Sequence, residues 1–288
     1  MTKDTKDFMM EYEEEGRYCF GFKQEELLYK GKTKYQDIEL ARTTLFGNTL
    51  KLDGFFQTSE GEEFFYHESL THPALCAHPN PKRVLVIGGG DGGIAREVLQ
   101  HNTVEKVTVA ELDGGVIEFS KKYLKKIAGG SFTNKRAEFI VADGKQYIED
   151  SKEKFDVILI DLTDPIGPAR PLFEVPFYKT VKAHLNKNGI VALQSEPPIF
   201  KPKVFSWVNG NLRKAFKNVF PYINYIPLYG TMWSFTFVSE NIDPRKLTAK
   251  ILQKRLKERG VKNLKWYTPE IHTGLFNLPP YVQKLIKK

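Results

Sequence analysis

Hydrophobic and polar residues alternate in two different rhythms along this chain. From about residue 18 to residue 57, short stretches alternate apolar with polar positions and are interrupted by Gly-Lys, Gly-Asn and Asp-Gly pairs. Period-two alternation between such turn pairs predicts antiparallel hairpins. A helical stretch follows over residues 62–78, and the sequence Pro-Asn-Pro-Lys ends it. The chain therefore predicts a small β-unit that leads into a helix.

From residue 83 onward, apolar runs of strand length alternate with helical stretches. Strands that alternate with helices predict βαβ units and a parallel sheet. The runs are almost entirely apolar, which is expected when helices cover both faces of the sheet. Another strand is predicted at 233–240, and an exposed amphipathic helix at 246–260. The other predicted strands lie at 83–87, 106–112, 137–141, 155–160 and 189–194, and the other predicted helices at 93–101, 115–127 and 174–185.

The change of rhythm divides the chain into two predicted domains. Residues 1–60 are predicted to form an N-terminal β-strand domain, and residues 61–288 a Rossmann-like catalytic domain with an α/β fold. A chain of 288 residues is long enough to bury one full core and to add a smaller unit.

The composition narrows the classes of partner. Lys and Arg outnumber Asp and Glu by 43 to 35, but no basic stripe interleaves with aromatic residues, so we expect no nucleic-acid partner. Cys19 and Cys76 lie far apart without a metal-ligand pattern, so neither a disulfide nor a metal site is predicted. No signal peptide and no membrane-spanning run is visible, and a cytoplasmic location is expected.

Acidic residues follow four of the predicted strands at their carboxyl ends. Asp91 lies in the glycine loop after the first of these strands, Glu111 and Asp143 end the next two, and Asp161 and Asp164 follow the fourth. Ligands of open α/β sheets bind outside the carboxyl ends of the strands, so we expect all five carboxylates to face one crevice. An acidic crevice in a chain with a net charge of +8 predicts cationic substrates.

The glycine loop predicts a bound nucleotide. Gly88, Gly90 and Gly93 fit G-x-G-x-x-G between a strand and a helix, where glycines permit a tight turn and a close approach to the backbone. Glu111 follows about 20 residues later, where an acidic side chain can hold the two ribose hydroxyls. A structural turn with a surface glutamate is the alternative.

Asp91 favours one kind of nucleotide over others. A carboxylate in this loop repels both the pyrophosphate of a dinucleotide and the α-carboxylate of S-adenosylmethionine, whereas it attracts an amine. Decarboxylated S-adenosylmethionine has an adenosine at one end and a sulfonium and a primary amine at the other, and it fits this charge. The alternative for Asp91 is a helix N-cap.

Asp143-Gly144 is expected to meet the adenine edge, with an ordinary turn as its alternative.

Asp161 and Asp164 supply the chemistry that an amine acceptor needs. A primary amine is protonated at neutral pH and cannot attack until a base takes its proton. Asp161 is predicted to be that base, and Asp164 to hold the far ammonium group of a diamine. The alternative is that one carboxylate caps a turn while the other faces solvent. Displacement beside a sulfonium releases a neutral thioether, so neither a metal nor a cofactor is predicted, and the decarboxylated nucleotide is a co-substrate.

Several motifs together resemble those of the polyamine aminopropyltransferases, the spermidine synthase family. They are YQDI at 35–38, LDG at 52–54, YHE at 66–68, GGGDGG at 88–93, ADG at 142–144 and DLTDPIGPA at 161–169, with Glu111 between them. The resemblance extends from about residue 18 to the C-terminus. It implies a methyltransferase-type Rossmann-like domain, with a mostly parallel sheet and helices on both faces, behind a small antiparallel β-domain. It also implies transfer of an aminopropyl group from decarboxylated S-adenosylmethionine to putrescine, with release of 5′-methylthioadenosine.

The positions that match the family imply individual roles. Asp161 is the implied proton acceptor, and Gln194 and Glu196 are expected to reach the distal end of the acceptor. Ordinary core packing is the alternative for the aromatic residues of the acceptor site. The implied donor-binding positions are Gln36, Asp91, Glu111, Asp143, Gly144 and Pro168, and the implied acceptor-binding positions are Tyr66, His67, Asp91, Asp161, Asp164, Tyr229 and Trp233.

The sequence departs from the family pattern at Leu162, where a serine is usual. Agmatine, cadaverine and spermidine therefore stay open as acceptors beside putrescine. Three other classes of function stay as alternatives: an S-adenosylmethionine-dependent amine methyltransferase, a dinucleotide-dependent oxidoreductase and a non-catalytic binding protein. The charge of Asp91 disfavours the first two.

Exposed edges of the N-terminal β-unit predict a homodimer or homotetramer. Residues 165–177, rich in Pro and Gly, are predicted to form a lid that orders on ligand binding.

Overall fold

The N-terminal part of the protein is a five-stranded antiparallel sheet. The structure, a computed structural model, describes residues 7–13, 16–165 and 167–287. The strands are β1 (Phe8–Tyr12), β2 (Cys19–Lys32), β3 (Asp37–Thr43), β4 (Gly47–Leu52) and β5 (Phe55–Ser59). They lie side by side in chain order, each antiparallel to the next.

The predicted antiparallel hairpins are confirmed and one strand is added to them, but two of the predicted turn pairs belong to strands, since Gly31-Lys32 ends β2 and Gly47-Asn48 begins β4. Asp53 (φ +48°) and Gly54 (φ +88°) make the tight turn between β4 and β5, since Asp and Gly tolerate the left-handed region. Strand β1 was not predicted because its neighbourhood is marked mainly by charge. Its Met9 is 1% exposed and packs in a cluster with Phe56, so tertiary burial accounts for this strand.

Seven strands form the second sheet, and the predicted mostly parallel arrangement is confirmed. The strands are β6 (Arg83–Gly88), β7 (Lys106–Glu111), β8 (Ala137–Val141), β9 (Phe155–Asp161), β10 (Leu185–Gln194), β11 (Asn218–Ile226) and β12 (Thr231–Ser239). Their order across the sheet is β11-β12-β10-β9-β6-β7-β8. Pairing is parallel from β10 to β8, and β12 is antiparallel to both β10 and β11.

Helices cover both faces of this sheet, as the apolar strands predicted. They are α1 (Phe64–Ala77), α2 (Gly93–Leu99), α3 (Gly114–Tyr123), α4 (Lys125–Ala128), α5 (Gly144–Asp150), α6 (Val175–Ala183), α7 (Pro202–Ala215), α8 (Ala249–Glu258), α9 (Pro269–Leu275) and α10 (Pro280–Ile286). Successive residues of a strand point to opposite faces. Accordingly, Val86 packs in one core with Leu70 of α1, while its neighbour Ile87 packs in the other core with Phe177 of α6. Among the described residues, no helix combines the length and the apolarity needed to cross a bilayer.

Four helices and one strand of the second domain were not predicted: α5, α7, α9, α10 and β11. Strand β11 contains Pro221, which cannot donate a ladder hydrogen bond and is normally confined to edge strands. β11 is such an edge, with a partner on one side only. Helix α7 begins at Pro202, and its Gly210 weakens the helical pattern.

The topology brings two of the predicted motifs together. From β6 the chain proceeds to β7 and β8 on one side, and then returns to β9 on the other side of β6. Ligands of open α/β sheets bind where the direction of winding reverses. At this point Gly88 at the end of β6 pairs with Asp161 at the end of β9. The glycine loop and the predicted base therefore share one crevice.

Candidate active site

The glycines of the loop allow a close approach of the backbone to two acidic residues. Gly88 has a φ of +86°, and a Cβ there would lie 1.9 Å from the backbone oxygen of Asp161. A Cβ on Gly90 would lie 2.9 Å from Cγ of Glu111. Only glycine fits at either place without movement of the neighbour. The G-x-G-x-x-G pattern thus packs the loop directly against the ends of β9 and β7.

Asp91 lies at the end of a buried chain of alternating charges. Its Oδ2 is 3.2 Å from Nε2 of His67, and Nδ1 of His67 is 2.6 Å from Glu63. Arg96 then donates two hydrogen bonds to Glu63, of 3.0 and 2.7 Å. Burial lowers the pKa of His67, but Asp91 and Glu63 outweigh burial and raise it well above its usual value. Burial raises the pKa of Asp91, yet His67 lowers it below its usual value, so both groups are charged at neutral pH.

Asp91 also binds the beginning of α2, but it is not the N-cap residue of that helix, which is Gly92. Its Oδ1 accepts a hydrogen bond of 2.8 Å from the backbone N–H of Gly93, at the beginning of α2. A Cβ on Gly93 would lie 2.2 Å from Cε1 of His67, so this glycine makes room for the imidazole. Both ring nitrogens of His67 are engaged within the protein. His67 therefore acts on the crevice through Asp91, which it holds in place and in the ionised form.

Asp161 is a half-buried carboxylate with one strong local donor. The hydroxyl of Tyr66 donates to its Oδ1 at 2.7 Å. Burial and the negative charge of Asp91 raise the pKa of Asp161 to about 6, against the opposing effects of His67 and the Tyr66 hydrogen bond. A carboxylate with this pKa is a stronger base than an ordinary aspartate, and it is still mostly ionised at neutral pH.

Glu111 is held at the end of β7 by two backbone amides. Gly90 donates to its Oε2 at 3.2 Å, and Asp113 to its Oε1 at 2.8 Å. Burial is the main cause that raises the pKa of Glu111 to about 7, and the charge of Asp161 adds to it. Beside it, Nε2 of Gln36 donates to Asp113 at 2.9 Å, which connects the N-terminal domain to this edge of the sheet. A ligand hydroxyl or cation beside Glu111 would stabilise its ionised form.

The remaining predicted donor positions are less closely tied to this crevice. Oδ1 of Asp143 accepts from the backbone N–H groups of Lys145 and Gln146, at 2.8 and 3.2 Å, and caps α5. A Cβ on Gly144 would lie 2.4 Å from Cγ2 of Ile87, so Gly144 allows α5 to pack closely on the sheet. Pro168 lies in a 3-10 helix, Gly167–Phe173, and its side chain is outside the part of the chain that the structure describes.

Aromatic side chains line the space beside Asp161. The rings of Tyr66 and Tyr229 are 6.0 Å apart, and those of Tyr229 and Trp233 are 4.8 Å apart. The hydroxyl of Tyr229 donates to the backbone oxygen of Gln57 at 2.7 Å, so the N-terminal domain contributes to this wall. Burial raises the pKa of Tyr229, and nearby carboxylates add to the shift, Asp161 and Asp164 among them. This tyrosine therefore lies within electrostatic reach of both ends of the space.

A second group of carboxylates lies beyond Tyr229, and we call Glu11, Asp164 and Glu196 the distal acidic cluster. Glu196 is fully buried with a φ of +71°; its Oε2 is paired with Nζ of Lys201 at 3.3 Å, while its Oε1 has no hydrogen-bond partner among the described residues. Burial and the charge of Asp164 raise the pKa of Glu196 to about 8. Glu11 accepts from Phe56 N–H at 2.6 Å, and burial raises its pKa to about 7, with Asp164 contributing.

Sequence reasoning missed four of these residues. Glu63 and Arg96 anchor His67, Glu11 comes from an unpredicted strand, and Lys201 pairs with Asp164. Glu63 lies in the same helical stretch as His67, four residues earlier, a spacing that could have been noticed. The other three have no local signal, because only the fold brings them to the crevice.

The five carboxylates do not all meet at one point. Asp91, Glu111 and Asp161 influence one another's protonation, whereas Asp164 belongs to the distal acidic cluster and Asp143 caps a helix. Both Asp161 and Asp164 contribute to the raised pKa of Tyr229, so this tyrosine lies near both groups. The expectation that all five carboxylates face one crevice stays a prediction.

Another group of polar side chains lies away from the crevice. His72, Cys76 and His101 are fully buried with their possible ligand atoms within 4.8 Å of one another. Nδ1 of His72 is hydrogen-bonded to Nε2 of His101 at 3.1 Å, and Nε2 of His72 to Glu97 at 2.9 Å. Burial raises the pKa of Cys76 to about 11, which disfavours the thiolate that binds metals. We assign this group to core hydrogen bonding.

The fold and the crevice define a class of enzymes with a Rossmann-like, methyltransferase-type domain. The family model for the spermine/spermidine synthase domain matches residues 63–248, and that for the spermidine synthase tetramerisation domain matches residues 10–60. The chain thus belongs to the spermine/spermidine synthase family and is an aminopropyltransferase enzyme. The resemblance seen in the motifs is confirmed.

Individual relatives agree over nearly the whole chain. It is 40% identical over 271 residues to a polyamine aminopropyltransferase of Nitrosomonas europaea, covering 93% of this chain and 83% of that protein. It is 44% identical over 266 residues to one from Caldicellulosiruptor saccharolyticus, covering 90% and 91%. A crystal structure of spermidine synthase in complex with the transition state analogue AdoDATO has a TM-score of 0.92 at 37% identity, covering 99% and 96%. The match to a tetramerisation domain supports the prediction of a homo-oligomer.

Proposed function

We propose that this enzyme transfers the aminopropyl group of decarboxylated S-adenosylmethionine to putrescine, giving spermidine and 5′-methylthioadenosine. One observation supports this most strongly: carboxylates around Asp161 and around Glu196 accompany the paired rings of Tyr229 and Trp233, and both Asp161 and Asp164 raise the pKa of Tyr229. A diamine has the matching form, with an ammonium at each end and an apolar chain between them. Alkylammonium groups beside aromatic faces gain both apolar and cation–π contact.

The proposed step is a direct displacement. The near amine of the acceptor gives a proton to Asp161 and attacks the carbon beside the sulfonium. A carbon–nitrogen bond forms, the carbon–sulfur bond breaks, and the bonding electrons leave with sulfur as a neutral thioether. The chain contributes orientation and a base, and the raised pKa of Asp161 suits that role.

The donor is proposed to lie along the ends of β6 to β8. Glu111 would accept from the ribose hydroxyls, and Asp91 would face the aminopropyl end, where an amine replaces a carboxylate. Gln36, Asp143, Gly144 and Pro168 stay predictions for the adenosyl part. A cavity of about 590 Å³ opens beside these strand ends and is lined by Thr33, Ile38, Leu112, Asp113 and Val141, among others. Its position supports entry of the adenosyl group from this side.

Leu162 is the position that leaves the acceptor open. Its side chain is half-buried and packs against the core that contains Ile87. Its backbone oxygen accepts from Nε2 of Gln194 at 3.3 Å. The departure from serine therefore changes core packing beneath the crevice, and the acceptor must be identified by experiment.

The function is tested by incubating the purified protein with decarboxylated S-adenosylmethionine and putrescine, agmatine, cadaverine or spermidine in separate reactions. Mass spectrometry should show spermidine and methylthioadenosine in equal amounts with putrescine. If methylthioadenosine is released only with another amine, that amine is the acceptor in place of putrescine. Methyl transfer from intact S-adenosylmethionine would overturn the proposal.

The pH dependence should report on Asp161. Its pKa of about 6 is above that of an ordinary aspartate, so the base is lost as the pH falls through about 6. We expect kcat/KM for the acceptor to fall more steeply with decreasing pH below about pH 6 than above it. The Tyr66→Phe variant removes the hydrogen bond that lowers this pKa, and the break should move to higher pH. A break that stays in place in this variant would assign it to a different group.

Asp91 should set the preference for the decarboxylated donor. Asp91→Asn keeps a side-chain oxygen for the Gly93 amide but removes the negative charge. We expect the affinity for intact S-adenosylmethionine, relative to the decarboxylated form, to rise about tenfold as the repulsion is lost. Calorimetric titration with both compounds measures this ratio. Asp150→Asn, at the exposed end of α5, is the control, and an unchanged ratio in Asp91→Asn would refute the assignment.

The oligomer is proposed to be a homodimer or a homotetramer formed through the N-terminal sheet. Its outer strands β1 and β5 each have one ladder neighbour, and part of these edges is used within the chain, since Glu11 of β1 accepts from the Phe56 N–H of β5. The match to a tetramerisation domain over residues 10–60 supports assembly through this sheet. Sedimentation analysis distinguishes the two states.

The lid over residues 165–177 also stays a prediction. Within this segment, the backbone oxygen of Phe173 is anchored, since Asn211 donates to it at 3.1 Å.

A further inference from the structure

A lysine of the protein occupies the distal acidic cluster. Nζ of Lys201 is hydrogen-bonded to Oδ2 of Asp164 and lies 3.3 Å from Oε2 of Glu196. The side chain of Lys201 is 22% exposed, so its ammonium is largely shielded from water. No sequence motif singled out this residue, and the proposed step does not use it.

The chain holds this ammonium in place through its backbone. The N–H of Lys201 donates to the backbone oxygen of Pro197 at 2.8 Å, and its own oxygen accepts from Phe205 at 3.0 Å as α7 begins. The preceding Phe200 packs against Tyr18 of the N-terminal sheet, with ring centroids 4.5 Å apart. Lys201 is thus fixed at the seam between the two sheets.

The charges around Lys201 leave the cluster unsatisfied. The ammonium of Lys201 pairs with Asp164 and with Oε2 of Glu196, while Oε1 of Glu196 has no hydrogen-bond partner among the described residues. The raised pKa values of Glu196, about 8, and of Glu11, about 7, leave both partly protonated at neutral pH, and a bound cation would favour their ionised forms. Lys51 is also near Glu11, but its Nζ is bound to the backbone oxygen of Met10. A further cation can therefore bind beside Lys201, whereas two more would place like charges close together.

We propose that Lys201 is a specificity-determining residue whose tethered ammonium takes one cation position of the distal acidic cluster, so that diamines are accepted and longer triamines are disfavoured. This inference rests on the proposed function, because it assumes that the acceptor's far end reaches Asp164 and Glu196. A diamine brings one ammonium to this end. A triamine has a second ammonium beyond the first, and Lys201 repels it.

The test compares spermidine with putrescine as acceptors. In Lys201→Met the side chain keeps much of its length and loses its charge. We expect the ratio of kcat/KM for spermidine to that for putrescine to rise at least about tenfold, through a lower KM for spermidine. Lys201→Arg keeps the charge and should keep the ratio. Lys203→Met, at an exposed lysine two residues away, is the matched control and should behave as the wild type.

Binding measurements separate the failure of this inference from failure of the proposed function. Calorimetry on the complex with 5′-methylthioadenosine measures the affinities for spermidine and for putrescine without turnover. The ratio of these two affinities should shift in Lys201→Met in the same direction as the ratio of kcat/KM, whichever amine is turned over. A Lys201→Gln variant and the melting temperatures of all variants control for folding. A ratio in Lys201→Met that falls, or stays within about twofold of the wild type, would overturn the role of Lys201. Absence of aminopropyl transfer to any amine by the wild type would instead overturn the proposed function.

Discussion

Replacing Asp161 with asparagine is expected to lower kcat by about 10²–10⁴-fold, the usual contribution of a positioned general base. The amide has nearly the same shape, and its oxygen can still accept from Tyr66, which lies 2.7 Å from Oδ1 of Asp161. It cannot take the proton of the attacking amine. The loss should therefore be in the chemical step, while methylthioadenosine binds with unchanged affinity.

A matched variant three residues away separates chemistry from binding. Asp164 belongs to the distal acidic cluster, so Asp164→Asn should raise KM for the acceptor more than it lowers kcat. Single-turnover rates and calorimetric affinities for both variants distinguish the two effects. Near-normal turnover by Asp161→Asn would show that another group accepts the proton.

Replacing Gly88 with alanine is expected to be the most damaging change in the glycine loop. The φ of +86° costs an alanine about 1–2 kcal/mol, and overpacking typically adds about 1–3 kcal/mol. The added Cβ would lie 1.9 Å from the backbone oxygen of Asp161. Backbone cannot rotate away as a side chain can, so either the loop or the end of β9 must move. We expect a loss of roughly 2–5 kcal/mol in the free energy of unfolding, with a large loss of activity.

Gly130 provides the control for this prediction. It has a φ of +87°, but a Cβ there would have no atom within 4 Å. Gly130→Ala should therefore show the backbone cost alone, about 1–2 kcal/mol, and keep near-normal activity. Urea unfolding and kcat measured on both variants give the comparison. Equal effects of the two substitutions would show that contact with Asp161 is not what makes Gly88 necessary.

The two-part architecture was readable from the sequence because local patterns are strong in both parts. The hairpin at the Asp53-Gly54 turn, and apolar strands alternating with helices, define their elements without distant contacts. The sequence failed at β1 and β11, where burial against another strand or an edge position decides the structure. Pro221 in β11 shows this, since proline is tolerated only because that edge lacks a second neighbour.

The motif residues were also readable, but their working environment was not. Asp91 and Asp161 stand at strand ends that any parallel sheet would bring to one edge. Their pKa values depend on neighbours far apart in the chain: His67 lowers the pKa of Asp91, and burial with the charge of Asp91 raises that of Asp161 to about 6. Asp143 differs from these two residues, because its carboxylate makes a local contact and caps α5.

By itself, the sequence determined the family, the sheet and the position of the predicted base, because spacing and periodicity are local properties of the chain. Only the tertiary structure grouped Asp164 with Glu196 and placed Lys201 between them. Lys201 reaches Asp164 across 37 positions of sequence, and such a pairing depends on how the sheets and α7 pack. Burial then sets the protonation of each carboxylate. The free-energy cost of its charge depends on how much water and how many hydrogen-bonding or oppositely charged partners surround it in the fold.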